Sequence, residues 1–208
     1  MERIRVGIVV YEDVEVLDFC GPFEVFSVAR LDETTRRERP SPFLPVLVAQ
    51  DAGPVTATGG LRVLPAHTFD DCPPLDILLV PGGWGFRQQM DNALLHQWLR
   101  ERAAAARTLA AVCTGAMLLG AAGLLEGREV TTHWKWIDAM RERFPTVSVR
   151  ADRHLVTDGA VHTSAGISAG IDLALKLVEA YCGAGIARAT ARHMEYPFPE
   201  SDARRIVF

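Results

Sequence analysis

The chain has 208 residues, of which 49% are hydrophobic and 23% charged, and its formal net charge is −4. That length and apolar content suffice for one domain spanning 1–208 with a substantial core, while the mildly acidic, mixed charge gives no footprint for nucleic acid or an anionic membrane surface. The opening MERIRVGIVVYEDVEVLDF carries too short an apolar run for a signal peptide or a membrane span, so the expected location is the cytoplasm.

In chain order, Arg5–Val10 is the first short apolar run of buried-strand character. The turn Leu17-Asp18-Phe19-Cys20-Gly21-Pro22 leads from it to a helix over Phe23–Ala29, with Pro22 in the first helical turn. Asp32–Pro42 is a polar, proline-ended surface loop, Phe43–Ala49 a second buried strand, and Val55–Leu64 a hairpin around Gly59-Gly60. Leu75–Val80 is a third strand, and Asp91 or Asn92 caps a helix that repeats Leu94, Leu95, Trp98 and Leu99 at helical spacing. Thr108–Val112 is a fourth strand, running into Cys113 and leaving as a helix. Farther on the pattern predicts a strand over Val130–Thr132, a helix over Lys135–Arg143 ended before Pro145, a hairpin over Leu155–Thr163 turning at Asp158-Gly159, and a helix over Ser168–Tyr181 stopped by Gly183. Strands alternating with helices imply an α/β architecture with a mostly parallel sheet and right-handed crossovers.

Cys113 stands where a thiol projects at the top of a sheet, with the amides of Thr114, Gly115 and Ala116 opening a helix whose positive end favours a thiolate. On its own such a cysteine reads equally well as a small buried hydrophobe. The neighbours favour chemistry. Pro81-Gly82-Gly83-Trp84-Gly85 follows the third strand directly, so the same sheet edge carries amides that could face the thiol as anion donors. Asp18 lies too far before Pro22 for a simple cap, and a carboxyl buried near the sulfur would have its pKa raised and share a proton with it. The Thr114 hydroxyl is either a plain first-turn helix group or a donor to a bound intermediate, and His133 is a secondary candidate base against the commoner structural role. Cys20, Cys72 and Cys182 have no comparable turn and no paired spacing, and His67, His96, His154, His162 and His193 show no ligand spacing, so free thiols and no metal site are expected.

These residues make the chain similar to the ThiJ/PfpI superfamily over nearly its whole length. The matching pieces are Leu17-Asp18 with Gly21-Pro22, Asp70 to Asp76, Pro81-Gly82-Gly83, Val112 to Gly115, Gly120 to Leu125, Thr131 to Trp134, and Ala169 to Asp172. The resemblance implies a flavodoxin-like, doubly wound sheet sandwiched by helices, of the class I glutamine amidotransferase-like kind, with the cysteine at a nucleophile elbow. Within the superfamily the chain resembles the isocyanide hydratases, because Asp18 and Thr114 stand where its proteases and deglycases carry glutamate and histidine. That likeness implies catalytic roles for Cys113, Asp18 and Thr114: attack on the terminal carbon of an isocyanide, a thioimidate, and hydrolysis to an N-substituted formamide. Gly82, Gly83, Trp84 and His133 would line the substrate site. It also implies a small-molecule substrate, no cofactor, and a homodimer with the cysteine near the interface; the apolar tail Arg205-Ile206-Val207-Phe208 is compatible with packing on a partner and equally with folding back on its own domain.

The sequence departs from the hydratase pattern at Ala116, where serine is common, at Trp84, where a smaller residue is usual, and at Ser164-Ala165-Gly166-Ile167-Ser168, which replaces a glycine-rich turn. Trp84 is expected to narrow or reshape the pocket. Thr163 to Ile167 and Ala191-Arg192-His193 resemble instead the amino-terminal half of AraC-type regulators, which suggests a non-catalytic ligand sensor; the sequence after Tyr196-Pro197-Phe198-Pro199 leaves no room for helix-turn-helix segments. A third reading is a redox or aldehyde-stress protein using Cys113, against which the Asp18 and Thr114 pair argues.

Overall fold

The computed structural model describes residues 3–205, so positions 206–208 of the apolar tail lie outside the described residues. The elements run β1 (Ile4–Val9), α1 (Val16–Val28), β2 (Phe43–Ala49), β3 (Val55–Thr56), β4 (Arg62–Val63), β5 (His67–Thr68), β6 (Ile77–Val80), α2 (Phe86–Gln89), α3 (Ala93–Ala105), β7 (Thr108–Val112) and α4 (Gly115–Ala121). They continue as β8 (Glu129–Val130), α5 (Ile137–Arg143), β9 (Ser148–Val149), β10 (Leu155–Asp158), β11 (Val161–Ser164), α6 (Ala169–Cys182) and α7 (Ala184–His193).

The apolar runs become the central strands because both faces of the sheet are covered: every residue of β6 and β7 is buried. The sheet order is β10-β11-β7-β6-β1-β2-β5, parallel throughout except for the β10–β11 hairpin at one edge. In register, Val6 pairs with Ile77 and Ile77 with Thr108, so β1, β6 and β7 end side by side. Helices α1, α6 and α7 pack on one another in one layer, and α2, α3 and α4 in another. This is the flavodoxin-like arrangement, in which ligands collect outside the carboxyl ends of the strands.

Several boundaries differ from the sequence reading. Helix α1 starts at Val16, so Asp18 sits in its first turn and Pro22 inside it. No side chain caps that start; the Glu15 amide is satisfied by the Gly82 carbonyl at 2.9 Å, a tertiary cap that local sequence cannot announce. Pro22 costs only the bond to the Asp18 carbonyl. Strand β8 ends at Val130, because Thr131 and Thr132 turn their polar groups elsewhere: the Thr131 amide donates to Thr163 Oγ1 at 2.8 Å and Thr132 Oγ1 donates to the Cys113 carbonyl at 2.8 Å. Helix α5 begins two residues late, after a 3₁₀ turn over Trp134–Trp136 that His133 caps. The Val55–Leu64 hairpin, the Asn92 cap, whose side chain accepts from the Leu95 amide at 3.1 Å, and the hairpin at Asp158-Gly159 form as read. Among the described residues no helix is long and apolar enough to cross a membrane.

Candidate active site

Strand β7 delivers Cys113 to the end of the sheet in a left-handed conformation, φ 58°, two residues before α4 begins. A non-glycine residue holds that conformation only where its surroundings fix it. Here they do so on both sides: the Cys113 amide donates to the Ala165 carbonyl at 3.1 Å, and the Cys113 carbonyl accepts from Thr132. The thiol is nearly buried, and its sulfur receives the amides of Ile167 and Thr114. Ile167 is itself left-handed at φ 52°, a rare state for a β-branched residue, and it is what turns that amide toward the sulfur.

Asp18 approaches from the first turn of α1 and is fully buried. Its Oδ2 accepts from the Gly82 amide at 2.9 Å, and the Gly83 amide donates to Thr114 Oγ1 at 3.1 Å. A side chain on Gly82 would strike Thr114 and come within 3.0 Å of Asp18 Oδ2, so only glycine lets the loop pass between them. These bonds correct the sequence reading of the loop. The Gly82 and Gly83 amides are spent on holding Asp18 and Thr114; the free-standing donors to sulfur come from Ile167 and Thr114. Tyr11, unforeseen in the sequence, anchors the same loop by donating to the Pro81 carbonyl at 2.8 Å.

The electrostatics also differ from expectation. Burial pushes the Asp18 carboxyl up to about 8, with Glu15 adding to the rise and the Gly82 amide and the Cys113 thiol opposing it. Burial pushes the Cys113 thiol up as well, negative charge on Asp18 pushes it further, and the two amides only partly oppose. The helix start does not by itself yield a thiolate, because desolvation outweighs it. Carboxyl and thiol form a coupled pair that holds its protons at neutral pH, and Asp18 Oδ1 is buried without a hydrogen-bond partner among the described residues.

Cys113 and Thr114 open on a cavity of about 530 Å³, within the range of small-ligand sites. His133 and Trp84 line it, as does Gly83, whereas Gly82 is withdrawn beneath the Asp18 carboxyl. Trp84 is 65% exposed and flanks the opening without closing it. His133 Nδ1 accepts from the Lys135 amide at 3.2 Å, and burial, with Lys135 and Arg204, lowers its pKa, leaving a neutral ring beside the cavity. Glu15, Phe86, Arg87, Trp136 and Ile167 complete much of the lining and were missed in the sequence. Glu15 carried one usable signal, its position one helical turn before Asp18.

Other matched motif residues lie in structural roles. Asp76 Oδ2 accepts from the Arg5 amide at 2.8 Å, tying β6 to β1, and buried Asp172 accepts from His154 Nε2 at 2.8 Å and from Arg205 at 3.1 Å. Among the described residues no group of three or more His, Cys, Asp or Glu side chains could hold a metal ion, and the four cysteines are free.

Comparison with known proteins bears on the family and the fold. Residues 4–180 match the model of the DJ-1/PfpI family. The chain is 37% identical over 202 residues to an isonitrile hydratase of Pseudomonas putida, covering 96% of this chain and 82% of that protein. It is 38% identical over 132 residues to the HTH-type transcriptional regulator CdhR of Pseudomonas aeruginosa, covering 64% of this chain and 39% of the regulator. A crystal structure of a ThiJ/PfpI family protein from Pseudomonas syringae superposes with a TM-score of 0.82 at 31% identity, over 97% of this chain and 79% of that one. With an elbow cysteine on a doubly wound sheet and a family match across most of its length, the chain belongs to the DJ-1/PfpI family.

Proposed function

We propose that the protein is a cysteine-dependent hydratase that converts an isocyanide to an N-substituted formamide. The observation that carries this reading is the pairing of a buried, proton-holding Asp18, one of whose oxygens has no partner, with the Cys113 thiol at the floor of an open cavity. The similarity to an isonitrile hydratase over 96% of the chain supports it.

In this mechanism the sulfur of Cys113 forms a bond to the terminal carbon of R–NC while the proton of the thiol–carboxyl pair is delivered to that same carbon, giving a thioimidate. The amides of Ile167 and Thr114 hold the sulfur as charge builds on it. A water then attacks the thioimidate carbon. One of its hydrogens goes to nitrogen, the carbon–sulfur bond breaks as the carbonyl forms, and the other hydrogen returns to the pair. Asp18 thus acts as acid and then base, a use suited to a carboxyl whose pKa lies near 8. The isocyanide carbon is slender and electrophilic, so no third member of a triad is required, and His133 serves as a neutral wall of the pocket.

The test is formamide production from a simple alkyl isocyanide by the wild type beside Cys113→Ala and Asp18→Asn. Turnover by the wild type and its loss in both variants is expected. A second reading, a ligand sensor, is favoured by the likeness to CdhR. It predicts ligand binding in the cavity with no turnover by the wild type across small and bulky isocyanides.

A further inference from the structure

The cavity above Cys113 has a cation that nothing in the proposed reaction uses. Arg87, in α2, is exposed and lines the cavity, and its guanidinium carbon lies 4.5 Å from the ring centre of Trp84, 4.8 Å from that of Trp136 and 5.2 Å from that of Phe86. Three rings within cation–π distance hold the guanidinium in place. Its one hydrogen bond, from Nη1 to the Trp84 carbonyl, is long at 3.4 Å, and among the described residues it has no ion-pair partner. Some other surface arginines are paired, as Arg36 is with Glu33, Arg150 with Glu129 and Arg188 with Glu200. Arg87 is therefore held by its apolar faces, with most of its donors uncommitted beside a cavity.

Arg87 also borders a second crevice that holds Asp91 and Glu142, and the lining of the cavity above Cys113 carries two further charged residues. Lys135 is a second cation of the lining, resting over Trp134 at 5.2 Å and likewise without an ion pair among the described residues. The one carboxylate of the lining is Glu15, half-buried and near enough to Asp18 to raise its pKa. Negative charge thus sits at the nucleophile's end of the cavity, while the two cations are exposed residues of its lining.

We propose that Arg87 is the specificity-determining residue of this cavity and that it binds a carboxylate on the substrate, at the end away from the reacting carbon. The substrate class is then an isocyano carboxylic acid. This inference rests on the hydratase reading. A carboxylate takes the planar fork of a guanidinium in a bidentate pair, and a fork already held by three rings loses little freedom on binding. Glu15 repels a carboxylate placed next to the sulfur, which fixes the direction in which such a molecule enters. The apolar rings that hold Arg87 accept the carbon skeleton between its two ends.

Two measurements test the proposal separately from the reading beneath it. The first is calorimetric binding of N-formylglycine, the product carboxylate, against its methyl ester, by the wild type, Arg87→Met and Arg87→Lys. The wild type should bind the carboxylate about tenfold or more tightly than the ester, the ratio should fall toward one in Arg87→Met, and Arg87→Lys, which keeps charge but not the fork, should fall between. Equal binding of the two by the wild type, or an undiminished ratio in Arg87→Met, overturns the proposal. The second is kcat/KM for isocyanoacetate against its methyl ester. The preference should reappear there, chiefly in KM. Equal turnover of both overturns the carboxylate assignment and leaves the hydratase standing. Carboxylate-selective binding without turnover of either sinks the hydratase reading and leaves Arg87 as the reader of an anionic ligand.

Discussion

Two crevices open outside the carboxyl ends of the parallel strands, and they differ in what each leaves uncommitted. The crevice at the ends of β1 and β2, about 390 Å³, is lined by Glu12, Gln50, Asp51 and Asn92. Three of these side chains are occupied: Asn92 donates to Gln50 at 2.9 Å and to Gln89 at 2.8 Å while its oxygen accepts from Leu95, and Glu12 accepts from the Thr56 amide at 3.1 Å. The crevice at β7 holds two left-handed non-glycine residues, Cys113 and Ile167, and a buried carboxyl oxygen with no partner. Both have the topological position in which such sheets bind ligands. Strain and unspent hydrogen-bonding capacity, which cost stability and persist only where the surroundings enforce them, favour the second as the candidate site.

The largest effect that would break this contrast is at Asp18. Asp18→Asn is expected to lower kcat/KM by about a hundredfold to ten-thousandfold, the usual span for loss of a general acid–base, and to abolish the rise in wild-type activity through a pH of about 8 as the pair loses its first proton. The stability change has the opposite sign. The folded carboxyl holds its proton more tightly than the ordinary value of 3.8 allows, so the wild type loses stability as pH rises from there through about 8. Asp18→Asn removes that penalty. The Tm of the variant relative to wild type should therefore climb across that window, and a difference independent of pH contradicts the shift.

A smaller effect is expected at Gly82. Gly82→Ala places a methyl group against Thr114 and Asp18 Oδ2, and such overpacking costs about 1–3 kcal/mol of stability. Urea unfolding reads that cost, and a formamide assay should show turnover falling with it because the carboxyl and the Thr114 amide both move. Wild-type turnover in this variant would separate the loop from the chemistry. The smallest effect belongs to the other crevice. Asn92→Ala removes the cap of α3 and should cost about 1 kcal/mol by urea unfolding while leaving formamide production unchanged.

Much of this was legible before the structure, for reasons that vary by element. β2 and β7 match their apolar runs residue for residue, since strands covered on both faces have no polar alternation to blur their ends. Cys113 and Asp18 were legible from the strand–turn–helix pattern and the motif around it. The start of α1 was not, because its cap is the Gly82 carbonyl, distant in sequence. Ile167 could not be read at all: β-branched residues disfavour positive φ, and only the elbow's own contacts impose it. Arg87, Glu15 and Lys135 stand in no motif of the sequence, and only the fold brings them around one cavity. The short α2 and the edge strand β5 lack the length that a single sequence reveals.

In the proposed reaction Cys113 forms a covalent bond to the isocyanide carbon. That step is tested most directly by rapid quench of the protein with an alkyl isocyanide followed by mass spectrometry of the Cys113 peptide. An adduct with the mass of the whole isocyanide is expected on Cys113, accumulating and decaying as formamide appears, and none in Cys113→Ala. Formamide released with no adduct at any quench time, and at an undiminished rate in Cys113→Ala, would contradict it.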